Sequence, residues 1–433
     1  MRILNTSTTN PAEIRDALTR TVSLADPEKE AVVRAILDDV RARGDTALLE
    51  NARRFDCPTL SALRVPLEEI DRAHAGCDSE LLATMRGAIA NIEAFHRKRV
   101  PESWTDDFGS GVKLGQMIRP VDVAGVYAPG GSAAYPSTVL MSAVPARVAG
   151  VQRIILCSPA GKDGSVNSLV LAAAKECDIT DVFAVGGAAA IAAMAFGTAT
   201  VPRADVVCGP GSIYVLLAKK LVTGSVAIES LPGPSEICVV ADESANPRFV
   251  AADLLSQAEH GGAGAHSTAV LITTSAELAA AVAREAAEQT ESQPRREILR
   301  KALDACGLII VTPNLDTAIE LANLMAPEHL ALEVKDPWAL LEKARHAGAV
   351  MVGTWSTEPI ADYWAGPSHV LPTGGSARFT GPLSVDVFLK KSSVVCYSRE
   401  AMEAAAPHVI RFAEAEGLSA HANAVRVRLE GDE

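Results

Sequence analysis

Aromatic side chains make up only 4% of this 433-residue chain although 48% of it is hydrophobic, so the core has to be assembled from Ala, Val, Leu and Ile. No CxxC pair occurs among the eight cysteines, which stand scattered at Cys57, Cys77, Cys157, Cys177, Cys208, Cys238, Cys306 and Cys396. That spacing argues against a thiolate metal centre or a disulfide frame and leaves buried, reduced thiols as the expectation. No block of Lys or Arg is long enough to track a phosphate backbone, and the net charge is −13, which argues against nucleic acid as a partner. No apolar run reaches the roughly 18 residues a membrane helix needs, and the opening MRILNTSTTNPAE has no basic region ahead of an apolar stretch. A cytoplasmic protein with no membrane partner is expected. The dinucleotide fingerprint GxGxxG is missing as well.

What is present is room for two or more domains and an alternating pattern. The first hundred or so residues read helical: Asn10 and Pro11 open a short helix, Asp26 and Pro27 a longer one that runs to Gly44, and Asp45 caps the next. Leu81, Leu82, Met85, Ile89, Ile92 and Phe95 recur at helical spacing across 78–96. His74 and His96 have no metal-like company there and read as surface residues. From Val123 the pattern changes to short apolar runs separated by helical stretches. Strands are expected at 123–127, 153–157, 181–185, 205–208 and 225–228, then at 237–241, 269–273, 307–311, 331–334 and 349–352. Repeated βα units imply mainly parallel sheets covered by helices on both faces. The expected fold class is α/β: two doubly wound Rossmann-like βα domains with a small helical N-terminal segment and a C-terminal tail domain. Leu231-Pro232-Gly233-Pro234 reads as a hinge, since it continues neither a helix nor a central strand. In the tail a helix near 384–391, a strand near 393–397 and a long helix after Ser398 are expected.

Ligands of doubly wound folds bind beyond the carboxyl ends of the strands, which directs attention to the glycine-rich turns 128–132 (APGGS), 186–188 (GGA) and 209–212 (GPGS). Such turns let a phosphate approach backbone N–H groups, and they also simply close βα connections. The stretch 253–266, DLLSQAEHGGAGAH, reads as the end of an amphipathic helix with Pro247 in its first turn, Phe249, Leu254 and Leu255 on its apolar stripe, and Gly261 and Gly262 stopping it. Gln257 and His260 are three apart, so on a helix both leave the same face, which is ligand spacing. The plainer alternative is a capping Gln and a His at the negative end of the helix dipole. Glu328 and His329 stand side by side in an expected post-helix turn, an acid and an imidazole suited to proton transfer, with a solvated pair as the alternative. Asp362 lies in an irregular aromatic loop with Tyr363, Trp364 and His369, and Glu416 and His421 bracket Gly417 and Leu418. Gln257, His260, Asp362 and His421 together would offer imidazole nitrogens and oxygens in a set that suits zinc with room left for a substrate.

The stretches GVYAPGGSAAYPSTVLM, GPGSIYV, LPGPSE, SQAEH, APEHL, ADYWAGPSHVLPTGG, RFTGPLSVDVFLKK and EAEGLSAHANAV occur in this order. Through them the sequence resembles the histidinol dehydrogenase family along nearly its whole length after the first helix. The resemblance implies a zinc-dependent, NAD-linked oxidoreductase of histidine biosynthesis, carrying out the four-electron oxidation of L-histidinol through L-histidinal to L-histidine. It implies one zinc per subunit, held by Gln257, His260, Asp362 and His421, which also line the substrate site with Ser235, His329 and Glu416. Glu328 and His329 would be the acid/base pair, and Tyr127 and Ser212 would contact NAD. It further implies a homodimer whose C-terminal tail crosses over, so that Glu416 and His421 complete the partner's site. The corresponding division is an N-terminal arm 1–25, a first α/β domain 26–125 and 234–383 with the zinc and acid/base residues, a second 126–233 on the NAD side, and a dimerisation tail 384–433.

Departures from the family pattern fall on the cofactor side. Ala189 stands where the family has Gln and Ser212 where it has Asn, each costing about 1 kcal/mol per hydrogen bond not replaced. The GGAGAH loop after His260 differs too. These departures keep open a paralogue that oxidises another small polar alcohol with the same machinery. A zinc hydrolase using Glu328 and metal-bound water, without a nucleotide, is the reading from a different class. A purely structural zinc protein would show closed, Cys-rich ligation, which is missing.

Overall fold

A computed structural model describes residues 1–19, 26–130, 134–231, 233–261 and 267–430. The chain forms two compact units, Met1–Arg99 with Val121–Phe388, and Val100–Pro120 with Leu389–Glu433. The larger unit opens with strand β1 (Arg2–Asn5) and helices α1 (Pro11–Leu18), α2 (Pro27–Arg43), α3 (Asp45–Phe55), α4 (Leu67–Ala75) and α5 (Ser79–Arg97). Asn10 and Asp26 cap α1 and α2 by accepting the N–H groups of Ala12 and Lys29, with a proline following each cap. Strands β2 (Trp104–Asp107) and β3 (Val112–Pro120) belong to the smaller unit.

A first wound set follows: β4 (Val123–Tyr127), α6 (Pro136–Ala149), β5 (Arg153–Ser158), α7 (Ser168–Glu176), β6 (Asp181–Ala184), α8 (Gly187–Phe196), β7 (Val206–Cys208), α9 (Ile213–Val222) and β8 (Ala227–Ile228). Its sheet is wholly parallel in the order β6-β5-β4-β7-β8. The second set comprises β9 (Glu236–Ala241), α10 (Pro247–Ala258), β10 (Thr268–Thr273), α11 (Ala276–Ser292), α12 (Arg296–Cys306), β11 (Gly307–Val311), α13 (Leu315–Met325), β12 (His329–Glu333), α14 (Pro337–Leu341), β13 (Ala349–Val352) and α15 (Glu358–Tyr363). These strands form a parallel sheet in the order β1-β11-β10-β9-β12-β13. β9 and β10 are buried at every residue, as strands covered on both faces must be. The apolar clusters on the two faces of this sheet draw on α10 to α12 on one side and on α1 and α13 on the other.

Helices α2, α4 and α5 pack on α8 and α9, on α7 and on α6 respectively, so residues 27–97 cover the 123–228 sheet. The arm contributes β1, which extends the other sheet along β11. Alanine-rich α8 is buried along nearly its whole length, and small side chains are what allow a helix to sit that deep. His96 is fully buried rather than exposed, with Phe95 edge-on at 5.1 Å, and burial pushes its pKa down to about 4. His74 pairs with Glu176 at 2.7 Å. All eight cysteines are unpaired, and Cys396 is exposed. Among the described residues no helix is long and apolar enough to cross a membrane.

In the smaller unit β3 pairs antiparallel with β2 and with β14 (Leu389–Tyr397), followed by α16 (Arg399–Ala415) and α17 (Ser419–Leu429). The helix expected near 384–391 is one short 3-10 turn, Val385–Phe388, and the strand begins directly after it. Backbone pairing with β3 overrides local helical spacing there. Of the expected hinge, Pro232 lies outside the described residues.

Candidate active site

The acid/base and ligand candidates of the larger unit gather at the amino edge of the β9–β12 sheet, not beyond its carboxyl ends. Ser235 immediately precedes β9, Glu328 precedes β12, and His329 is the first residue of β12 rather than part of a turn. α10 returns the chain to the start of β10 and so delivers Gln257 and His260 to the same edge. Gln257 lies in the last turn of α10, whereas His260 stands past the helix end with its N–H on the Gln257 carbonyl (3.1 Å). Phe249 is partly exposed while Leu254 and Leu255 are buried, so the apolar stripe is narrower than expected. Residues 262–266 of the adjoining loop lie outside the described residues.

Hydrogen bonds fix the pair at β12. The Glu236 N–H donates to Glu328 Oε2 (2.8 Å), and His329 Nδ1 lies 3.2 Å from the Glu236 carbonyl oxygen. A carbonyl only accepts, so Nδ1 carries the hydrogen and Nε2 is left as the basic nitrogen, 3.5 Å from Asp362 Oδ1. Glu328 Oε2 lies 3.7 Å from His329 Nδ1. Burial pushes Glu328 up to about 8. Burial pulls His329 down, but the carboxylates of Glu328 and Asp362 prevail and raise it to about 9. Burial also pushes Asp362 up, and His329 beside it outweighs this and holds it below the ordinary carboxylate value.

His329, Glu358 and Asp362 place ligand atoms within 4.8 Å of one another, all buried. Glu358 was not singled out from the sequence, although its i, i+4 spacing from Asp362 puts both on one face of α15. Ser256 Oγ donates to Glu358 (2.7 Å), tying α10 to α15, and burial raises Glu358 to about 7. His369 braces the Asp362 carbonyl at 3.1 Å. Ser235 Oγ lies 3.4 Å from His260 Nδ1.

Among the described residues both polar atoms of the fully buried Gln257 amide have no hydrogen-bond partner, and His329 Nε2 and Asp362 Oδ1 have none beyond their 3.5 Å approach to each other. A buried unpaired polar group costs about 1–3 kcal/mol, so an orphan cluster of this kind calls for a ligand. The imidazole and carboxylate donors of His329, Glu358 and Asp362 fit a divalent cation, zinc included, and the end of α10 brings the Gln257 amide to the same edge of the sheet.

Tyr127 and Ser212 stand elsewhere, at the carboxyl edge of the β4–β7 sheet. Tyr127 is buried at the end of β4, its hydroxyl accepts the Gly187 N–H (3.1 Å), and burial raises its pKa to about 12. Ser212 precedes α9 without a side-chain capping bond, and Ala189 is buried near the start of α8. Gly209 has φ +116°, and a Cβ there would overlap the Tyr127 carbonyl oxygen. The buried Lys219–Glu229 ion pair (2.6 Å) clamps this turn: Lys219 donates to the Gly209 carbonyl (2.6 Å), and Glu229 accepts the Gly209 N–H (2.8 Å). Such backbone-lined turns are cradles that a side chain would fill and a phosphate can enter. Residues 131 and 132 of the 128–132 turn lie outside the described residues. In the smaller unit Glu416 caps the end of α16 and His421 lies exposed on α17, with Gly417 at φ +74° between them.

The family model for histidinol dehydrogenase matches residues 19–429. The chain belongs to the histidinol dehydrogenase family. It is 51% identical over 430 residues to a histidinol dehydrogenase of Synechococcus sp., covering 99% of this chain and 98% of that one. It is 50% identical over 417 residues to one from Geobacillus kaustophilus, covering 96% and 98%. The crystal structure of histidinol dehydrogenase from Elizabethkingia anophelis superposes with a TM-score of 0.93 at 36% identity, covering 99% of this chain and 98% of that one. The α/β architecture of the family is thus the architecture of this chain.

Proposed function

We propose that the chain is a zinc-dependent histidinol dehydrogenase that oxidises L-histidinol through L-histidinal to L-histidine with NAD. The observation that carries this reading is the buried convergence of His329, Glu358 and Asp362 within 4.8 Å beside Glu328, with the unsatisfied Gln257 amide on the same sheet edge, in a chain of this family. Gln257, His260, Asp362 and the partner-supplied tail residue His421 would hold the zinc, whose charge would grip and orient the amino alcohol. NAD at the β4–β7 edge would accept the hydride.

The proton steps belong to the chain's own residues. His329, with Nδ1 fixed by the Glu236 carbonyl, takes the hydroxyl proton at Nε2 in its neutral form as hydride leaves the carbinol carbon, a form that its raised value of about 9 confines to alkaline pH unless the zinc's positive charge lowers it. Glu328, anchored by the Glu236 N–H, takes a proton from the water that hydrates the aldehyde once it is ionised, which its raised value of about 8 places at alkaline pH, and a second hydride then leaves to give the acid. Ser235 and Glu416 bind the substrate, the carboxylate of Glu416 matching a cationic amino alcohol. The tail 384–433 serves as the dimerisation segment, and the site is shared between subunits.

The test is to follow reduced nicotinamide to completion with L-histidinol and NAD. Two equivalents per histidinol, abolished by a chelator and restored by zinc, are expected. Absence of turnover in zinc-loaded protein overturns histidinol as the substrate and favours the reading in which Ala189 and Ser212 mark a paralogue for another polar alcohol. Hydrolysis without any nicotinamide absorbance change would favour a zinc hydrolase.

A further inference from the structure

The order β6-β5-β4-β7-β8 is the 3-2-1-4-5 order of a nucleotide-binding half, with β4 as its first strand and β5 as its second. In that arrangement a dinucleotide crosses beyond the first and fourth strands, and an acid near the end of the second strand binds the adenosine ribose. Here β5 runs out into Pro159 and Ala160 with no acid. Asp163, the next one along, is engaged in its own turn, where its carboxylate accepts the Ser165 N–H (3.2 Å).

Asp56 arrives at that place from outside the sheet. It ends α3, its own N–H bonded to the Ala52 carbonyl at 2.9 Å. A Cβ built on Gly186, just beyond β6, would lie 2.7 Å from Pro159 Cβ and 2.9 and 3.2 Å from the two Asp56 carboxylate oxygens. The carboxylate therefore sits over the glycine turn, between the ends of the second and third strands of the half. Its charge reaches Tyr127, whose hydroxyl holds the same turn through the Gly187 N–H.

Among the described residues none hydrogen-bonds or ion-pairs with this half-buried carboxylate, and burial alone pushes it up to about 6. The neighbouring arginines are engaged elsewhere: Arg53 donates to the Leu60 carbonyl (2.8 Å), and the Arg54 guanidinium lies 4.9 Å from the centre of the Phe55 ring. A half-buried acceptor with no donor is matched by a pair of ribose hydroxyls and opposed by a phosphate dianion.

We propose that Asp56 selects NAD over NADP, its carboxylate accepting hydrogen bonds from the adenosine ribose and repelling a 2′-phosphate. The proposal rests on the NAD reading above, and direct binding separates the two. The full-length protein is titrated calorimetrically with NAD and with NADP in the absence of histidinol. The wild type should bind NAD at least about tenfold more tightly than NADP. Asp56→Asn, of equal size and without charge, should weaken NAD several-fold, tighten NADP and shrink that ratio to within about threefold. Asp56→Ser should do the same if the Asn variant folds poorly, and an unchanged thermal midpoint certifies either one. An unchanged ratio in a folded variant, or a wild type that prefers NADP, overturns the selector role alone. A wild type that binds neither dinucleotide overturns the NAD reading together with it.

Discussion

Replacing Gln257 by Leu should make the metal-free protein more stable and the metal-loaded protein less so, a change of sign that few other substitutions would give. The Gln257 side chain is fully buried, and among the described residues neither its oxygen nor its nitrogen has a partner. Each unpaired group costs about 1–3 kcal/mol, and Leu has a similar volume, so removing the amide should gain about 2 kcal/mol after imperfect packing is allowed for. In a chain of this size that is a rise of a few degrees in Tm. Zinc at about a hundred times its Kd adds roughly 2.7 kcal/mol to a protein that holds it and much less to one lacking a ligand. The assay is a set of thermal melts of both proteins in chelator and in zinc. Wild type should melt below the variant in chelator and at or above it in zinc. A variant that melts lower in chelator would show that the amide has partners, and equal gains in zinc would remove Gln257 from the ligand set.

Lys219→Met should cost about 3–5 kcal/mol in chemical denaturation, because it strands the buried Glu229 carboxylate, and Glu229→Gln in the same chain should recover most of it. Asp253 and Glu333 form a buried acid pair: burial raises both, and Asp253 beside it raises Glu333 further, to about 8, while Glu333 works against the rise at Asp253. A carboxyl raised above its unfolded value of 4.5 binds more protons in the folded state, so its contribution is full below that value and is lost as pH climbs to about 8. Stability measured by denaturation should therefore fall between pH 5 and 8 and fall less in Glu333→Gln; parallel curves would show that the pair does not titrate there. Glu416→Gln should raise the KM for histidinol about tenfold or more with a smaller effect on kcat, and an unchanged KM would exclude substrate binding by this residue.

The strands were legible wherever β-branched and aliphatic runs stood between glycine or proline punctuation, which is why 123–127, 307–311 and 349–352 coincide with β4, β11 and β13. β1 was illegible because four residues, RILN, carry no alternation and become a strand only through pairing with β11. The site divides along the same line. Gln257, His260, Glu328, His329 and Asp362 stood out as polar residues at helix ends and turns, yet nothing local in a parallel sheet says which edge will collect them. That edge is set by α10, which carries the chain back to the amino ends of the strands, and by Glu236, whose N–H and carbonyl hold Glu328 and His329 from a neighbouring strand 92 and 93 residues away in sequence. Glu358 and Asp56 escaped notice for a related reason. Each is an ordinary acid in or at the end of an ordinary helix, and it acquires chemistry only because a distant segment meets it, His329 of β12 for one and the Gly186 turn for the other. Residues whose role depends on their own spacing can be read from the chain, whereas residues whose role depends on which distant segment meets them need the fold.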